Sequence, residues 1–338
     1  FGGLLHFDVR GYHEDHVPPP ESRMEFMSPE WRKLLKHALR ECERLGLTMS
    51  VNLSSSAGAL KGPWDVGRDA PKRLIWTAAE VRGPRRVECV LRPPSERPSW
   101  NVALLAIRQE KPIKEDGPVD LSGQWQDAKP TLGTRGQAAE IVDLTDRVDA
   151  QNRLTWDAPE GSWSLVRFAA ETMAGHEQDV DILDASAVSG FFDRMGRVLL
   201  ADAGPAAGKT LTHFYSVSWE GATPMWTPTF DESFSHMHGY RSRPYLPVLA
   251  GWTVQSRDVS ERFLRDDLAT LGVLFRDNMY GTLQRLCHEN GLKWHSESGG
   301  PWDRKLPTFQ NADQLAFLAR NDMPQGEYWF RPLTQALN

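Results

Sequence analysis

Apolar residues between Met27 and Gly46 recur every three or four positions, which predicts a helix with one buried face. Ser28 suits the N-cap, Pro29 suits the first helical position, and Gly46 suits the residue just past the end. A short apolar run at 47–53 follows and predicts a strand. Strand-like residues also precede the helix, so this part of the chain predicts a parallel α/β unit with right-handed connections.

The pattern changes near Trp76. From there to about Met173, β-like runs alternate with turns rich in proline and glycine, and Gly161 is interpreted as one of these turns. The predicted strands are 87–91, 102–108, 138–144, 153–156 and 162–169. Because this stretch has no long helical stripe, it predicts an all-β domain inserted into an α/β protein.

A helical pattern resumes after Asp184, a suitable N-cap, and extends to about Ala203. A longer apolar stripe predicts a second helix over 260–290, with Gly291 at its end. A shorter helix is predicted over 311–320. Strand-like runs lie between and after these helices, so the strand–helix alternation continues to the end of the chain.

Three of the strand-like runs end in a glutamate beside an aromatic residue or a small polar one: Glu220, Glu297 and Glu327. Carboxylates at the ends of successive strands are typical of a (β/α) barrel, in which the strand ends carry the chemistry. The predicted fold is therefore an incomplete (β/α)8-type barrel interrupted by an all-β domain. The predicted boundaries are 1–75 for the first barrel units, 76–175 for the insertion and 176–338 for the continuing barrel.

The 338 residues carry a formal net charge of −6 and have a pI near 6.0. No basic stripe suited to phosphate groups is visible, so nucleic acid is not expected as a partner. No apolar stretch reaches the ~18–20 residues that a membrane span requires. Three cysteines make no disulfide framework, and Cys42 and Cys287 are predicted to be small buried side chains. The chain begins at Phe1 inside a strand-like run, so we expect it to be part of a larger protein.

Two carboxylates that face each other across a cleft are what glycosidic-bond hydrolysis requires. Trp219 precedes Glu220, and Tyr328-Trp329 follows Glu327, so both glutamates have apolar neighbours that can raise a carboxyl pKa. Glu297 lies in a polar context beside His295. The chain has 13 tryptophans, and Trp219 and Trp329 are predicted to contact the sugar through their ring faces.

Two histidine pairs resemble metal-ligand clusters, His13 with His16 and His236 with His238. Neither has the framework of a defined zinc motif, so zinc is not expected. Calcium needs only oxygen ligands, and the sequence leaves calcium binding open. The metal-ligating residues are therefore unknown at this level.

An ordered set of segments resembles the family 106 glycoside hydrolases, the α-L-rhamnosidases. In the barrel regions the matching segments are 26–31, 45–52, 62–64, 218–220, 226–230, 239–240, 245–247, 291–297 and 326–329. In the β-rich region they are 143–145 and 154–161. No single segment is decisive, but together they cover nearly the whole chain in the same order.

The resemblance implies a (β/α)8 catalytic barrel with an inserted β region, followed by further β domains. It implies inverting hydrolysis of terminal α-L-rhamnosides of oligo- or polysaccharides, calcium at the sugar site, and a secreted or periplasmic location. Carried onto this sequence, it makes Glu220 the general acid, Glu327 the general base and Glu297 a third active-site glutamate. Asn52 and Trp64 lie in matching segments and, with His295, are predicted to bind substrate.

One position departs from the family pattern. The family usually has an aspartate three residues before the acid, and here that residue is Val217. If the aspartate binds metal or tunes the acid, its loss bears on calcium binding, activity and sugar specificity. Two alternatives therefore accompany the rhamnosidase hypothesis: a carbohydrate-binding barrel with impaired catalysis, and a related exo-glycosidase with another sugar specificity.

Overall fold

The computed structural model describes residues 2–7, 24–55, 60–110, 118–129, 132–217, 223–297 and 314–325. Its strands are β1 Gly3–His6, β2 Thr48–Asn52, β3 Lys72–Val90, β4 Ser99–Gln109, β5 Gln126–Asp127, β6 Gln137–Ala138, β7 Glu140–Asp143, β8 Arg153–Thr172, β9 Leu211–Ser216, β10 Thr253–Val254 and β11 Lys293–Ser296. Its helices are α1 Pro29–Leu45, α2 Ala185–Arg194, α3 Gly196–Ala203, α4 Phe230–His238, α5 Arg257–Leu274, a π-helical segment Phe275–Gly281, α6 Thr282–Glu289 and α7 Gln314–Leu318. Among these described helices, none combines the length and apolar character needed to cross a membrane.

The chain forms two compact units. The first contains residues 1–65, 178–222 and 275–338, and the second contains 66–177 and 223–274. The second unit thus includes 223–274, which the sequence analysis placed in the continuing barrel. The division at residues 75 and 175 stays a prediction.

The first unit is built on a parallel sheet of four strands in the order β1-β2-β9-β11. Val51 and Trp294 both pair in register with Phe214, and all three side chains are fully buried. Strands buried on both faces are typical of parallel sheets covered by helices. The α/β class predicted from the sequence is confirmed for this unit.

Helix α1 begins and ends where its sequence predicts. The Ser28 hydroxyl accepts a hydrogen bond from the Trp31 amide at 3.2 Å, and Gly46 ends the helix in the left-handed conformation with φ 69°. The apolar stripe is buried through Trp31, Leu35, Leu39 and Cys42. Local capping and periodicity were sufficient here because both signals agree.

Two predicted helices are subdivided. The helix predicted over 260–290 is α5, the π-helical segment and α6, with Gly291 at φ 73° after it. The helix predicted after Asp184 to about Ala203 breaks at Met195, and α3 begins at Gly196. A Cβ at Gly196 would lie 2.9 Å from the Phe192 ring, so the close approach of these two turns requires glycine.

The second unit contains an antiparallel sheet of five strands in the order β5-β3-β8-β4-β7. Strands β3 and β8 pair from Lys72 opposite Thr172 to Val90 opposite Arg153. The turn predicted at Gly161 is wrong, because β8 continues through it. Gly161 has φ 127°, and a Cβ on the opposite Gly83 would lie 1.8 Å from a backbone oxygen. These glycines permit a local irregularity inside a long strand pair.

Candidate active site

The carboxyl ends of β2, β9 and β11 meet at one edge of the parallel sheet. Asn52 pairs in register with Tyr215, Ser216 pairs with Ser296, and the Glu297 amide donates to the Ser216 carbonyl at 3.3 Å. The strand pairing therefore brings three of the predicted site residues, Asn52, His295 and Glu297, to the same edge of the sheet. We call the following set the strand-end site: Asn52, Tyr215, Ser216, Tyr280, His295, Glu297 and Gln325.

Glu297 accepts hydrogen bonds on one carboxylate oxygen from two side chains of the described chain. The Tyr215 hydroxyl donates to Oε1, and Gln325 Nε2 donates to the same oxygen at 3.5 Å. Tyr215 is 1% exposed, so its hydroxyl has little freedom to reorient. The carboxylate of Glu297 is thus held in one direction before any ligand binds, as active-site groups require.

His295 holds Gln325 in place. It is buried and packs against the ring of Tyr215 at 4.7 Å, and burial is the main cause that lowers its pKa. Its Nδ1 lies 3.0 Å from Gln325 Oε1, and its Nε2 lies 2.6 Å from Ser50 Oγ. Because an amide oxygen only accepts, Nδ1 carries the proton and Nε2 accepts from Ser50. Both ring nitrogens are engaged, so the geometry favours a positioning role; its predicted role in substrate binding stays a prediction.

Three polar side chains of the strand-end site have unsatisfied atoms. Asn52 Oδ1, Ser216 Oγ and the Tyr280 hydroxyl are buried and have no hydrogen-bond partner among the described residues. Burial first, and the Glu297 carboxylate second, raise the pKa of Tyr280, so its hydroxyl keeps its proton. Buried polar atoms are normally paired, so these three atoms require partners beyond the described residues.

Trp64, a predicted sugar contact, packs on α2. The Arg194 guanidinium lies 4.4 Å from the Trp64 ring centroid, and Phe191 lies 5.9 Å away. The Trp64 indole N–H is buried without a hydrogen-bond partner in the described chain. Part of the ring is therefore used by the protein, and its role in substrate binding stays a prediction.

Four predicted site residues lie outside the described residues: Trp219, Glu220, Glu327 and Trp329. Val217 is the last residue described after β9 and is half-buried. Of the three predicted glutamates, the structure therefore places Glu297. The distance between the carboxyl groups of Glu220 and Glu327 stays a prediction.

The described histidines do not form a metal cluster. His238 Nε2 lies 3.0 Å from Thr270 Oγ1, and its Nδ1 lies 3.7 Å from Asp266, which is a structural use of the ring. His13 and His16 lie outside the described residues. Within the described ranges, no three His, Cys, Asp or Glu side chains group closely enough to hold a metal ion.

Sequence reasoning missed Tyr215, Ser216, Tyr280 and Gln325. Tyr280 falls in the apolar stripe of a predicted helix, so periodicity assigned it to the core. Ser216 and Tyr215 lie in β9, where the strand pattern alone does not show which residues reach the edge. Gln325 precedes Glu327 by two residues, and that proximity was the one available signal.

Glycoside hydrolases use carboxylates to cleave the glycosidic bond, and barrel enzymes place catalytic groups at the carboxyl ends of their strands. The family model for glycoside hydrolase family 106, described as alpha-L-rhamnosidase, matches residues 1–129 and 119–337. The chain belongs to this family. The resemblance expected from its sequence segments is thereby confirmed.

Two proteins similar to this chain carry the names of different glycosidases. A protein of Formosa agariphila, provisionally named a beta-glucuronidase, is 27% identical over 331 residues, which is 92% of this chain and 28% of that protein. The structure of a rhamnosidase from Novosphingobium sp. PP1Y matches with a TM-score of 0.75 and 20% identity. It covers 98% of this chain and 46% of that chain, and the likeness concerns the fold. The chain thus spans less than half the length of these two proteins.

Proposed function

We propose that this chain forms the catalytic region of an exo-acting glycoside hydrolase that removes terminal α-L-rhamnose from oligo- or polysaccharides. Membership of the rhamnosidase family carries the proposal. The strand-end site supports it, because it combines an oriented Glu297 with buried hydroxyl and amide groups that have no partner within the described ranges. Sugar hydroxyls supply both donors and acceptors to such groups.

We also propose that the parallel sheet belongs to a (β/α)8-type barrel. The four strands follow one another in the sheet in chain order, and helices occur between successive strands. This arrangement is what a barrel segment requires, and barrel enzymes place their sites at the carboxyl ends of the strands. The further strands would come from chain outside the described residues.

In the proposed reaction, Glu220 donates a proton to the glycosidic oxygen while a water molecule attacks the anomeric carbon. Glu327 takes the proton of that water, the bond between the anomeric carbon and the leaving oxygen breaks, and the configuration inverts. Inversion requires room for the water, so the two carboxyl groups should lie ~6.5–9.5 Å apart. Glu297 would accept hydrogen bonds from the sugar hydroxyls.

The test is hydrolysis of an aryl α-L-rhamnoside by the full-length protein and by Glu220→Gln and Glu327→Gln. We expect wild-type turnover and a loss of at least about a hundredfold in kcat for each variant, which is the usual contribution of a general acid or base. NMR of the first-formed sugar would show inverted configuration. Asp193→Asn, an exposed residue of α2, is the control. Turnover that is unchanged in both glutamine variants would overturn the site assignment.

Another sugar specificity is the second candidate, favoured by the relative provisionally named a beta-glucuronidase. A panel of aryl glycosides that includes a β-D-glucuronide separates the two. A third candidate is a carbohydrate-binding barrel without catalysis, favoured by the apolar Val217 at a family aspartate position. Sugar binding without turnover of any panel member would support that candidate.

Calcium binding and a secreted or periplasmic location stay predictions of the family resemblance. Within the described ranges no cluster of acidic side chains suits a calcium ion, so the residues described do not by themselves fit the metal. No catalytic step is assigned to it. Metal analysis of the purified full-length protein tests the first prediction, and cell fractionation tests the second.

A further inference from the structure

The second unit contains a cavity of about 290 Å³ that the strand-end hypothesis does not use. Its lining includes Trp100, Asn101, Trp226, Asp231, Arg243 and Asp267. We call it the α5 pocket, because Asp267 lies in the middle of α5. Its size is at the lower end of small-molecule sites, about that of a single ring.

The two tryptophans are fixed by the sheet. Trp100 lies in β4, and Trp226 forms an antiparallel bridge to Lys72 of β3. Their ring centroids lie 6.0 Å apart at 47°, and the Arg68 guanidinium lies 4.4 Å from the Trp100 centroid. The Lys72 ammonium also lies 5.1 Å from the Trp100 centroid, so two cations cover part of this ring. The remaining surface of the two rings forms a rigid aromatic wall, which suits the C–H faces of a sugar ring.

Polar groups on the other elements point to hydroxyl recognition. The amide and hydroxyl of Ser242 donate to Asp231 Oδ1 at 3.2 and 2.6 Å, which fixes that carboxylate. Arg243 Nη1 lies 3.6 Å from Asp143 and keeps further N–H donors at the pocket. Two carboxylates and a guanidinium therefore line one small volume, whereas the Asn101 amide is already bonded to Asn152 and Arg167.

Asp267 is the feature that calls for a ligand. It is 3% exposed, and among the described residues it has no hydrogen-bond or ion-pair partner, although it lines the cavity. Burial alone raises its pKa to about 7. A buried carboxyl without a partner destabilises the fold, and a ligand hydroxyl that donates to it would remove that cost.

We propose that the α5 pocket is a second carbohydrate-binding site, which takes one neutral sugar ring against Trp100 and Trp226 with its hydroxyls on Asp231, Asp267 and Arg243. A neutral sugar fits better than a sugar acid, because two carboxylates and one guanidinium line the pocket. The site would hold a glycan independently of hydrolysis at the strand ends. The proposal does not depend on the rhamnosidase activity.

The test is 19F NMR of the full-length protein labelled with 5-fluorotryptophan, titrated with methyl α-L-rhamnoside and, separately, D-glucuronate. Trp100→Phe and Trp226→Phe assign the two resonances, which reports on this pocket rather than on the strand-end site. We expect both resonances to shift and saturate with the neutral sugar and to shift less with the acid. Resonances that do not move with either sugar would overturn the proposal.

Two variants locate the polar contact. Asp267→Leu should raise the dissociation constant at least about tenfold, because every hydrogen bond to that side chain is lost, and Asp267→Asn should raise it less. Asp258→Asn, an exposed residue of the same helix, is the matched control and should bind as wild type does. A dissociation constant for Asp267→Leu equal to that of the control would also overturn the proposal. Loss of turnover in the hydrolysis assay would leave these shifts in place, so the two proposals fail separately.

Discussion

Glu171 and Asp267 are two carboxylates of the second unit with nearly the same exposure, 1% and 3%, and opposite surroundings. Glu171 accepts hydrogen bonds from Ser95 at 2.7 Å, from Arg73 Nε at 2.9 Å and from Arg97 at 2.9 Å. Burial would raise the pKa of Glu171, but these donors outweigh it and lower the pKa. For Asp267, burial acts without opposing donors among the described residues, and it raises the pKa to about 7.

The contrast separates two uses of a buried acid. The partners of Glu171 come from β3 and from the segment before β4, so its charge ties the sheet together. Asp267 instead lines a cavity, and no described group donates a hydrogen bond to its carboxyl group. Burial alone therefore does not distinguish a structural acid from a binding acid. The hydrogen-bond donors around the carboxylate do make that distinction.

The largest expected effect is on the pH dependence of stability. The pKa of Asp267 is raised from 3.8 to about 7, so the unfolded state ionises first and stability falls as pH rises from about 4 to about 7. The Asp267→Asn variant has no carboxyl group to ionise at this position, so its stability does not fall for this reason as pH rises. We expect it to be more stable than wild type by up to about 4 kcal/mol at about pH 8, and equal to it near pH 4. Denaturant unfolding at both pH values measures this, and equal stability at about pH 8 would remove the contrast.

Glu171→Ala should act in the opposite direction. It leaves two arginines without their shared acceptor, and we expect a loss of about 3 kcal/mol in the free energy of unfolding, since both arginines also reach solvent. The lowered pKa means that the stabilisation is present at neutral pH and is lost as pH falls through the folded-state value. Denaturant titration measures the loss, with Asp193→Ala as the exposed control. A loss no larger than that of the control would contradict a structural role.

Tyr215→Phe extends the comparison to the first unit. It removes a donor that orients Glu297, and we expect kcat/KM on the aryl rhamnoside to fall about tenfold, which corresponds to about 1.4 kcal/mol. Tyr240→Phe is a matched control, because its hydroxyl donates to Asp266 of the second unit at 2.8 Å. Equal effects of both substitutions on kcat/KM would show that Tyr215 acts through stability alone.

Arg97→Gln should have the smallest effect, about 1 kcal/mol in the free energy of unfolding. Arg97 is partly exposed, and Arg73 stays on Glu171 in the variant. The loss should shrink in high salt, which denaturant titration at two ionic strengths would show. Arg197→Gln removes an exposed pair with Asp193 on the surface of α2 and serves as the reference. A loss as large as that of Glu171→Ala would mean that Arg73 contributes little.

Local signals in the sequence determined a large part of the fold. The ends of α1 at Ser28 and Gly46, the N-cap at Asp184, the end at Gly291 and the strand before Glu297 all follow from residues within a few positions of one another. Capping and periodicity are short-range effects, so a single sequence contains them. The family resemblance likewise depends on the order of short segments.

The tertiary structure decided which polar residues meet. Tyr280 comes from a helical segment that periodicity assigns to the core, and Gln325 comes from the other side of α7, yet both lie near Glu297. Asp267 is one of two adjacent aspartates of α5, and only packing shows that Asp266 has Tyr240 as a partner while Asp267 has none in the part of the chain that the structure describes. The reason is physical: a pKa or an unsatisfied donor depends on neighbours that are distant in sequence, and no local pattern specifies them.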